Sequence, residues 1–165
     1  MISENNANVT IRKSMANNPP KPRIFIDVDV LFAGAASPNE HSASLVILRM
    51  AEITLIEAVA SEQVITEVER NLEEKIPAAM PAFKMLVSRC LHVAADPTVA
   101  EIKALSKAAD PKDLPILAAA VREGCVYLAT YNIRHFQPGV ESLTVLKPGD
   151  LVQRVRYLLA QMSSE

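Results

Sequence analysis

Several acidic side chains stand within or beside apolar segments that would hold them rigidly. The six acids are Asp27, Asp29, Glu67, Glu69, Asp110 and Asp113. The first two interrupt the apolar stretch IFIDVDVLFAG, and the other four lie in segments with helical patterns. Carboxylate oxygens are hard ligands of the type that binds Mg²⁺ or Mn²⁺. If these acids converge in space, they would support chemistry that depends on a divalent metal.

Other catalytic residue types lack a supporting pattern. His41, His92 and His135 do not have metal-ligand spacing, and the chain contains no Gly-x-Ser-x-Gly, Walker A or Gly-x-Gly-x-x-Gly sequence. Cys90 and Cys125 each begin an apolar run, and two isolated cysteines form neither a zinc motif nor a disulfide framework. We interpret both cysteines as packing residues in a reducing compartment.

Each acid also has a purely structural explanation. Asp27 and Asp29 can each cap a turn. Asp110 precedes a proline, which is typical of a helix N-cap. A second proline, at position 115, favours a later helix start and would place Asp113 at the helix N-terminus, where the helix dipole stabilises a carboxylate. The two glutamates at 67 and 69 flank an apolar stripe on opposite sides. The helical pattern therefore does not indicate which of them belongs to a site.

The elements that must position these acids alternate between strands and helices. Short apolar segments predict strands at 23–28, 53–61, 90–95, 125–130 and 143–146. Helical patterns are predicted at 41–50, 61–75, 82–89, 98–109, 113–124 and 148–162, with Ser61 as an N-cap, Gly124 as a stop signal and 34–40 as a loop. This alternation predicts an α/β fold, a single three-layer α/β/α domain with a central, mainly parallel sheet.

Such a sheet offers a place where the acids could meet. Ligands of open α/β sheets bind at the carboxyl ends of the strands. Asp27 ends the first predicted strand, and Thr130 to Asn132 follow the fourth. The segment with Asp110 and Asp113 comes directly before that fourth strand, and the helix with Glu67 follows the second. One edge of the sheet could therefore gather these side chains.

Length and composition set the remaining limits. The 165 residues suit one domain, half of them are hydrophobic, and the net charge is −2. A protein that coats nucleic acid would be more basic and more aromatic than this chain. Residues 1–22 are rich in Asn and Pro and predict a disordered arm, followed by the folded domain at 23–165. We find neither a membrane span nor a secretory signal, and expect a cytoplasmic protein.

Four stretches in order resemble PIN-domain proteins. They are IFIDVDVLFAG, SEQVITEVERNL, DPKDLPILAAAVREG and YLATYNIRHF, and the resemblance extends from about residue 23 to about residue 149. The match places the first three family acids at Asp27, Glu67 and Asp113. Residue 132, after Thr130, falls where many relatives carry a fourth acid.

The resemblance implies the family's fold and a metal-dependent ribonuclease, often the toxin of a bacterial toxin–antitoxin pair. Asp27, Glu67 and Asp113 would bind Mg²⁺ or Mn²⁺, and with Asn132 they would form the catalytic set. Clustered carboxylates repel one another until a cation neutralises them, and that cation acidifies water for attack on a phosphodiester, with a 5′-phosphate product by family analogy. Thr130, Arg134 and His135 would contact the RNA substrate, or Thr130 a carboxylate.

Asn132 departs from the family pattern because it carries no charge. A second metal ion would then bind more weakly, which puts two-metal chemistry in doubt. One alternative is therefore a binding module for nucleic acid or protein with a degenerate site. Another is a haloacid-dehalogenase-like phosphatase, since DVDVL resembles that group's D-x-D motif, although Val30 and Leu31 replace the usual Gly-Thr.

Partners follow from the resemblance. A toxin of this family would be held by an antitoxin encoded beside it, through a disordered arm that presents Arg or Lys to the carboxylates. Homodimers are typical of the family. The closing helix, with Leu151, Val152, Val155, Leu158 and Leu159 on one face, would serve either a dimer or the core.

Overall fold

The computed structural model describes residues 21–163. The predicted disordered arm at 1–22 lies almost wholly outside the described residues, so the boundary between arm and domain stays a prediction. The described part contains five strands and seven α-helices. None of these helices has the length and apolar character needed to cross a bilayer.

The centre of the fold is a five-stranded sheet in which every strand pair is parallel. The strands are β1 (Arg23–Ile26), β2 (Glu57–Ser61), β3 (Leu91–Ala94), β4 (Tyr127–Ala129) and β5 (Thr144–Leu146). Their order across the sheet is β3-β2-β1-β4-β5, and Phe25 at the centre pairs with Val59 on one side and Leu128 on the other. These three residues are completely buried because helices cover both faces of the sheet, as their apolar character predicts.

The helices flank this sheet and confirm the predicted three-layer α/β class. They are α1 (Val28–Ala36), α2 (Ala43–Glu52), α3 (Glu62–Lys75), α4 (Met80–Cys90), α5 (Val99–Ala104), α6 (Leu114–Arg122) and α7 (Pro148–Met162). Short 3₁₀ turns occupy Pro77–Ala79 and Ile133–Phe136. As predicted, Gly124 ends α6, and it does so with φ of +65°, a conformation that favours glycine.

The predicted strand at 23–28 and the predicted loop at 34–40 need correction. The strand ends at Ile26, and Val28 already begins α1, which extends to Ala36. A short continuous apolar run does not distinguish a strand from a buried helix, and this run contains both. Gly34 lets α1 pack closely on α2, because a Cβ at this position would lie 2.8 Å from Leu48 Cδ1.

One expectation about helix capping was wrong in part, and the use of the apolar face of α7 is mixed. Ser61 stands at the N-cap of α3, but its side chain makes no capping hydrogen bond. Asp96, from the loop after β3, accepts a 2.8 Å hydrogen bond from the Gln63 amide instead. On α7 the expected apolar face is only half used: Leu151 and Val155 are buried, whereas Leu158 and Leu159 are about 40% exposed.

Candidate active site

A cavity of about 440 Å³ opens where β1, α1, α3 and the residues around α6 meet. Of the acids singled out in the sequence, Asp27, Asp29, Glu67 and Asp113 all line it, and Asn132 and His135 close one side. We call this space the acidic cavity. Its other lining residues are Val28, Phe32, Gln63, Asn71, Lys75, Lys112 and Ile116. The parallel sheet therefore does bring residues from four distant segments together, as the strand-end argument predicts.

Asp27 is the most buried of these acids, with 6% of its surface exposed. Its backbone amide still bonds to the Ala129 carbonyl, so it continues the edge of the sheet. Oδ1 accepts a 2.7 Å hydrogen bond from the Val28 amide, which makes Asp27 the N-cap of α1. Oδ2 accepts a 2.7 Å hydrogen bond from the hydroxyl of fully buried Thr130. The carboxylate is therefore held between the first strand, the helix after it and the turn after β4.

Asp29 lies two residues after Asp27, in the first turn of α1, and contacts the same turn after β4. Its Oδ2 accepts hydrogen bonds from the Tyr131 amide at 3.0 Å and from Asn132 Nδ2 at 3.1 Å, and the Thr130 hydroxyl is 3.5 Å away. Its Oδ1 is buried and has no hydrogen-bond partner among the described residues. Asp29 was not among the metal ligands expected from the sequence. The D-x-D spacing, which places it beside Asp27 at the edge of the sheet, is the signal that could have indicated it.

Asp113 stands at the N-cap position of α6, as the two prolines of this segment suggested. Its Oδ2 lies 3.2 Å from His135 Nδ1. Together with exposed Asp110 these two residues have ligand atoms within 4.8 Å of one another, and no other trio of described residues meets that spacing. The expected ligands Asp27, Glu67 and Asp113 share the cavity but lie further apart, and repulsion between like charges favours such a separation in the absence of a cation.

Glu67 reaches the acidic cavity from α3, whereas Glu69 does not line it. The lining residues of α3 are Gln63, Glu67, Asn71 and Lys75, which recur every four residues and so share one face of the helix. Lys75 Nζ lies 5.7 Å from the centre of the Phe32 ring, a cation–π distance. Sequence analysis missed this polar row because it followed only the apolar stripe of the helix.

The remaining predicted residues lie in three kinds of position. Thr130 is completely buried, and its hydroxyl contacts carboxylates. Asn132 and His135 line the cavity, while Arg134 is exposed and lies outside its lining. The proposed contacts of these residues with RNA stay predictions.

Burial dominates the electrostatics of the site. It raises the pKa of Asp27 to about 7, with a further contribution from the charge of Asp29, while the hydrogen bond from Thr130 opposes the shift. Burial also raises the pKa of Asp29 and that of Asp113, and His135 partly offsets the shift of Asp113. Each of these carboxylates is therefore harder to ionise than usual, and a bound cation would reverse that effect.

The donor set fits a hard divalent cation. Carboxylate oxygens from three segments surround one cavity, and one of their buried oxygens, Asp29 Oδ1, lacks a hydrogen bond within residues 21–163. Buried carboxylate oxygens without partners are costly unless something neutralises them. Mg²⁺ and Mn²⁺ prefer such ligands.

The protein is therefore an α/β protein with a five-stranded parallel sheet and a cluster of acids at the carboxyl edge of that sheet. A family model described as PIN domain matches residues 23–134. The chain belongs to the PIN-domain family. The match leaves the haloacid-dehalogenase alternative without support.

Solved structures show the same fold at low sequence identity. PAE2754 from Pyrobaculum aerophilum is 17% identical, with a TM-score of 0.60 over 82% of this chain and 96% of that one. VapBC2 from Rickettsia felis, in a structure bound to a DNA fragment from its promoter, is 16% identical. Its TM-score is 0.55 over 76% of this chain and 98% of that one. VapC20 from Mycobacterium tuberculosis, described as a sarcin-ricin loop cleaving toxin, is 17% identical, with a TM-score of 0.50 over 72% and 97%. A comparison with curated proteins found no match.

Proposed function

We propose that this protein is a metal-dependent endoribonuclease that hydrolyses RNA phosphodiester bonds, and that it is the toxin of a toxin–antitoxin pair. The observation that carries the proposal is the acidic cavity, where buried Asp27 meets Asp29, Glu67 and Asp113 at one edge of a PIN-domain sheet. The structural likeness to VapC20, a toxin that cleaves the sarcin-ricin loop, supports RNA as the substrate.

In this proposal Asp27, Glu67 and Asp113 bind Mg²⁺ or Mn²⁺. When bound, the cation would lower the pKa of water and offset negative charge on the scissile phosphate. The protein's own contribution is orientation: the Val28 amide and the Thr130 hydroxyl fix both oxygens of Asp27, so little motion is needed at the moment of reaction. In this step the oxygen of water would form a new bond to phosphorus and lose a proton, while the bond from phosphorus to the 3′ oxygen breaks. The 3′ oxygen would take up a proton from solvent, so the products are a 3′-hydroxyl and a 5′-phosphate.

The first test compares wild type with Asp27→Asn on single-stranded and structured RNAs, in Mn²⁺, Mg²⁺ or EDTA at low salt. We expect cleavage that needs metal and falls by at least about 100-fold in the variant, since general acid–base and metal contributions of this size are typical. Equal cleavage by both preparations would indicate a contaminant. Cleavage by neither, with no metal binding, would favour the alternative of a degenerate binding module.

A matched pair on α3 tests the site more sharply. Glu67 lines the acidic cavity and Glu69, two residues along the same helix, does not. We expect Glu67→Gln to lose cleavage and Glu69→Gln to retain it, although both remove one charge from the same helix. Equal effects of the two substitutions would refute the assignment of Glu67.

The location of the metal needs its own experiment, because Asp110, Asp113 and His135 form the tightest trio. Binding of Mn²⁺ can be titrated by calorimetry without RNA. In our proposal Asp27→Asn weakens Mn²⁺ binding and Asp110→Asn does not. The reverse result would place the cation at the trio and contradict the proposed ligands.

We also propose an antitoxin partner and a homodimer. An antitoxin would cover the acidic cavity with a cationic side chain, and co-expression with the neighbouring reading frame should then suppress cleavage. For the homodimer, the exposed residues Tyr157, Leu158, Leu159 and Met162 at the end of α7 offer an apolar surface. Because RNA is the proposed substrate, the cytoplasm is the proposed location.

A further inference from the structure

The acidic cavity contains one more carboxylate than the three that the proposed function uses, and its neighbour is an amide. Asp29 and Asn132 are linked by a 3.1 Å hydrogen bond from Asn132 Nδ2 to Asp29 Oδ2. The Tyr131 amide donates to the same oxygen, so Asp29 is tied to the turn after β4 although it lies 102 residues away in the chain. A helix cap or a solvated surface charge does not require such a connection.

The identity of residue 132 is complementary to that of residue 29. An asparagine can donate a hydrogen bond to a carboxylate, whereas an ionised aspartate at 132 would place two negative oxygens at this distance. The pair carries one negative charge in total, and this charge sits on Asp29. Asp29 thus supplies, within the same cavity, the negative charge that an asparagine at position 132 lacks.

The orientation of Asp29 leaves one oxygen available. Oδ2 accepts the hydrogen bonds from the turn, while Oδ1 is buried and without a partner among the described residues. Thr130 links the two acids of α1, because its hydroxyl is 2.7 Å from Asp27 Oδ2 and 3.5 Å from Asp29 Oδ2. A buried carboxylate oxygen without a hydrogen bond, next to a second buried carboxylate, is a position that a cation would stabilise.

We propose that Asp29 is a fourth carboxylate of the metal site in this chain, and that Asn132 is a positioning residue that holds Asp29 and does not bind the metal. This inference rests on the proposed function for the identity of the ligand, a divalent cation. It goes beyond that proposal by adding a fourth carboxylate, and it places this carboxylate on α1, whereas many relatives carry a fourth acid in the turn after β4.

The test exchanges the two residues and measures Mn²⁺ binding by calorimetry in the absence of RNA. Asp29→Asn should weaken Mn²⁺ binding by about 10-fold or more, as loss of a site carboxylate or its support does in other metal sites. The double variant Asp29→Asn/Asn132→Asp should restore affinity to within a few-fold of wild type, because it returns the charge to the opposite member of the pair. Asp150→Asn removes an exposed carboxylate on α7, outside the cavity, and should leave binding unchanged.

Thermal unfolding provides a second measurement, which also shows whether each variant folds. Asn132→Asp alone places two carboxylates together, so it should lower Tm in EDTA and gain more from Mn²⁺ than wild type does. The inference is overturned if Asp29→Asn binds Mn²⁺ as wild type does, or if folded Asp29→Asn/Asn132→Asp binds no better than Asp29→Asn. Wild type that binds Mn²⁺ but cleaves no RNA would refute the proposed function and leave the exchange to decide the role of Asp29.

Discussion

At the scale of single residues, hydrogen-bond donors partly offset the effect of burial on the pKa of the site carboxylates. Asp27 is enclosed by the sheet, by α1 and by Thr130, and its two oxygens each have one donor. Burial and the neighbouring Asp29 nevertheless raise its pKa to about 7. The geometry that suits a cation therefore costs stability when no cation is bound.

This cost predicts a pH-dependent effect of Asp27→Asn on the metal-free protein. Because the folded pKa of Asp27 lies above the unfolded value of 3.8, the folded state binds more protons between pH 4 and 7. Its contribution to stability is present below the unfolded pKa and is lost as pH rises through the folded one. In EDTA, the stability of Asp27→Asn relative to wild type should therefore rise from pH 4 to pH 8, by at most about 4 kcal/mol. Urea denaturation across this range measures the difference, and a flat difference would contradict the raised pKa.

In the proposed function, Lys75 would contact the RNA substrate beside the acids. Lys75 and Lys112 are the lysine or arginine side chains that line the acidic cavity, and Lys75 forms no ion pair with a described acid. The rise of an α-helix places its backbone about 12 Å beyond that of Glu67 along α3. Its ammonium group lies 5.7 Å from the centre of the ring of Phe32, which also lines the cavity.

We expect Lys75→Gln to weaken binding of a short single-stranded RNA to the inactive Asp27→Asn protein. The slope of log affinity against log salt should decrease by about 1, because one phosphate contact is lost. Lys84, exposed on α4 and outside the cavity lining, supplies the control substitution Lys84→Gln, which should change neither value. Equal slopes for Lys75→Gln and its parent would remove Lys75 from the RNA path.

At the scale of elements, the turn after β4 connects the site to two helices. Its residues Thr130, Tyr131 and Asn132 all hydrogen-bond to acids of the β1–α1 junction. On its other side, the Tyr131 hydroxyl lies 2.7 Å from Oγ of Ser44, a completely buried residue of α2. The turn is thus positioned from both sides, which supports the orientation of Asp29 and Asn132.

The link to α2 predicts that Tyr131→Phe destabilises the fold by about 1 to 3 kcal/mol, because it leaves a buried hydroxyl without this partner. The double variant Ser44→Ala/Tyr131→Phe should cost less than the two single changes added together. Tyr157→Phe, which loses a hydrogen bond to Gln161 on the exposed side of α7, should change stability little. Urea denaturation of the wild type and of the four variants measures these free energies of unfolding. Additive effects of Ser44→Ala and Tyr131→Phe would show that the two hydroxyls do not interact.

At the scale of the whole molecule, α7 is one of the described elements whose apolar residues are incompletely buried. Its first two turns pack through Leu151 and Val155, while Tyr157, Leu158, Leu159 and Met162 remain 39–64% exposed. An apolar surface at the end of a helix is typical of an interface between proteins. The proposed homodimer would cover it.

Light scattering tests this proposal directly. Wild type should have about twice the 18.0 kDa mass of one chain, and Leu158→Glu should shift the mass toward the monomer, because it places a charge in the apolar surface. Gln153→Glu adds the same charge at an exposed polar position of α7 and should leave the mass unchanged. A wild-type monomer would contradict a dimer through α7.

The sequence by itself determined the alternation of strands and helices, the parallel sheet and the acids that meet at its edge. Apolar runs specify buried parallel strands, and strand ends specify where polar side chains collect, so Asp27 and the segments that carry Glu67 and Asp113 could be expected at one edge. The choice of Glu67 over Glu69 came from the resemblance to PIN-domain proteins and not from the helical pattern. Sequence also indicated Asp113 at the start of its helix, since two prolines limited where that helix could begin.

Only the tertiary structure decided which further residues belong to the site. The roles proposed for Asp29 and Lys75 depend on neighbours far away in the chain, and hydrophobic periodicity carries no information about such contacts. The same holds for Asp96, which caps α3 from the loop after β3, and for α1, whose apolar run resembles a strand until it packs against α2. Local patterns specify elements, but the partners of a hydrogen bond or a charge are set when those elements pack together.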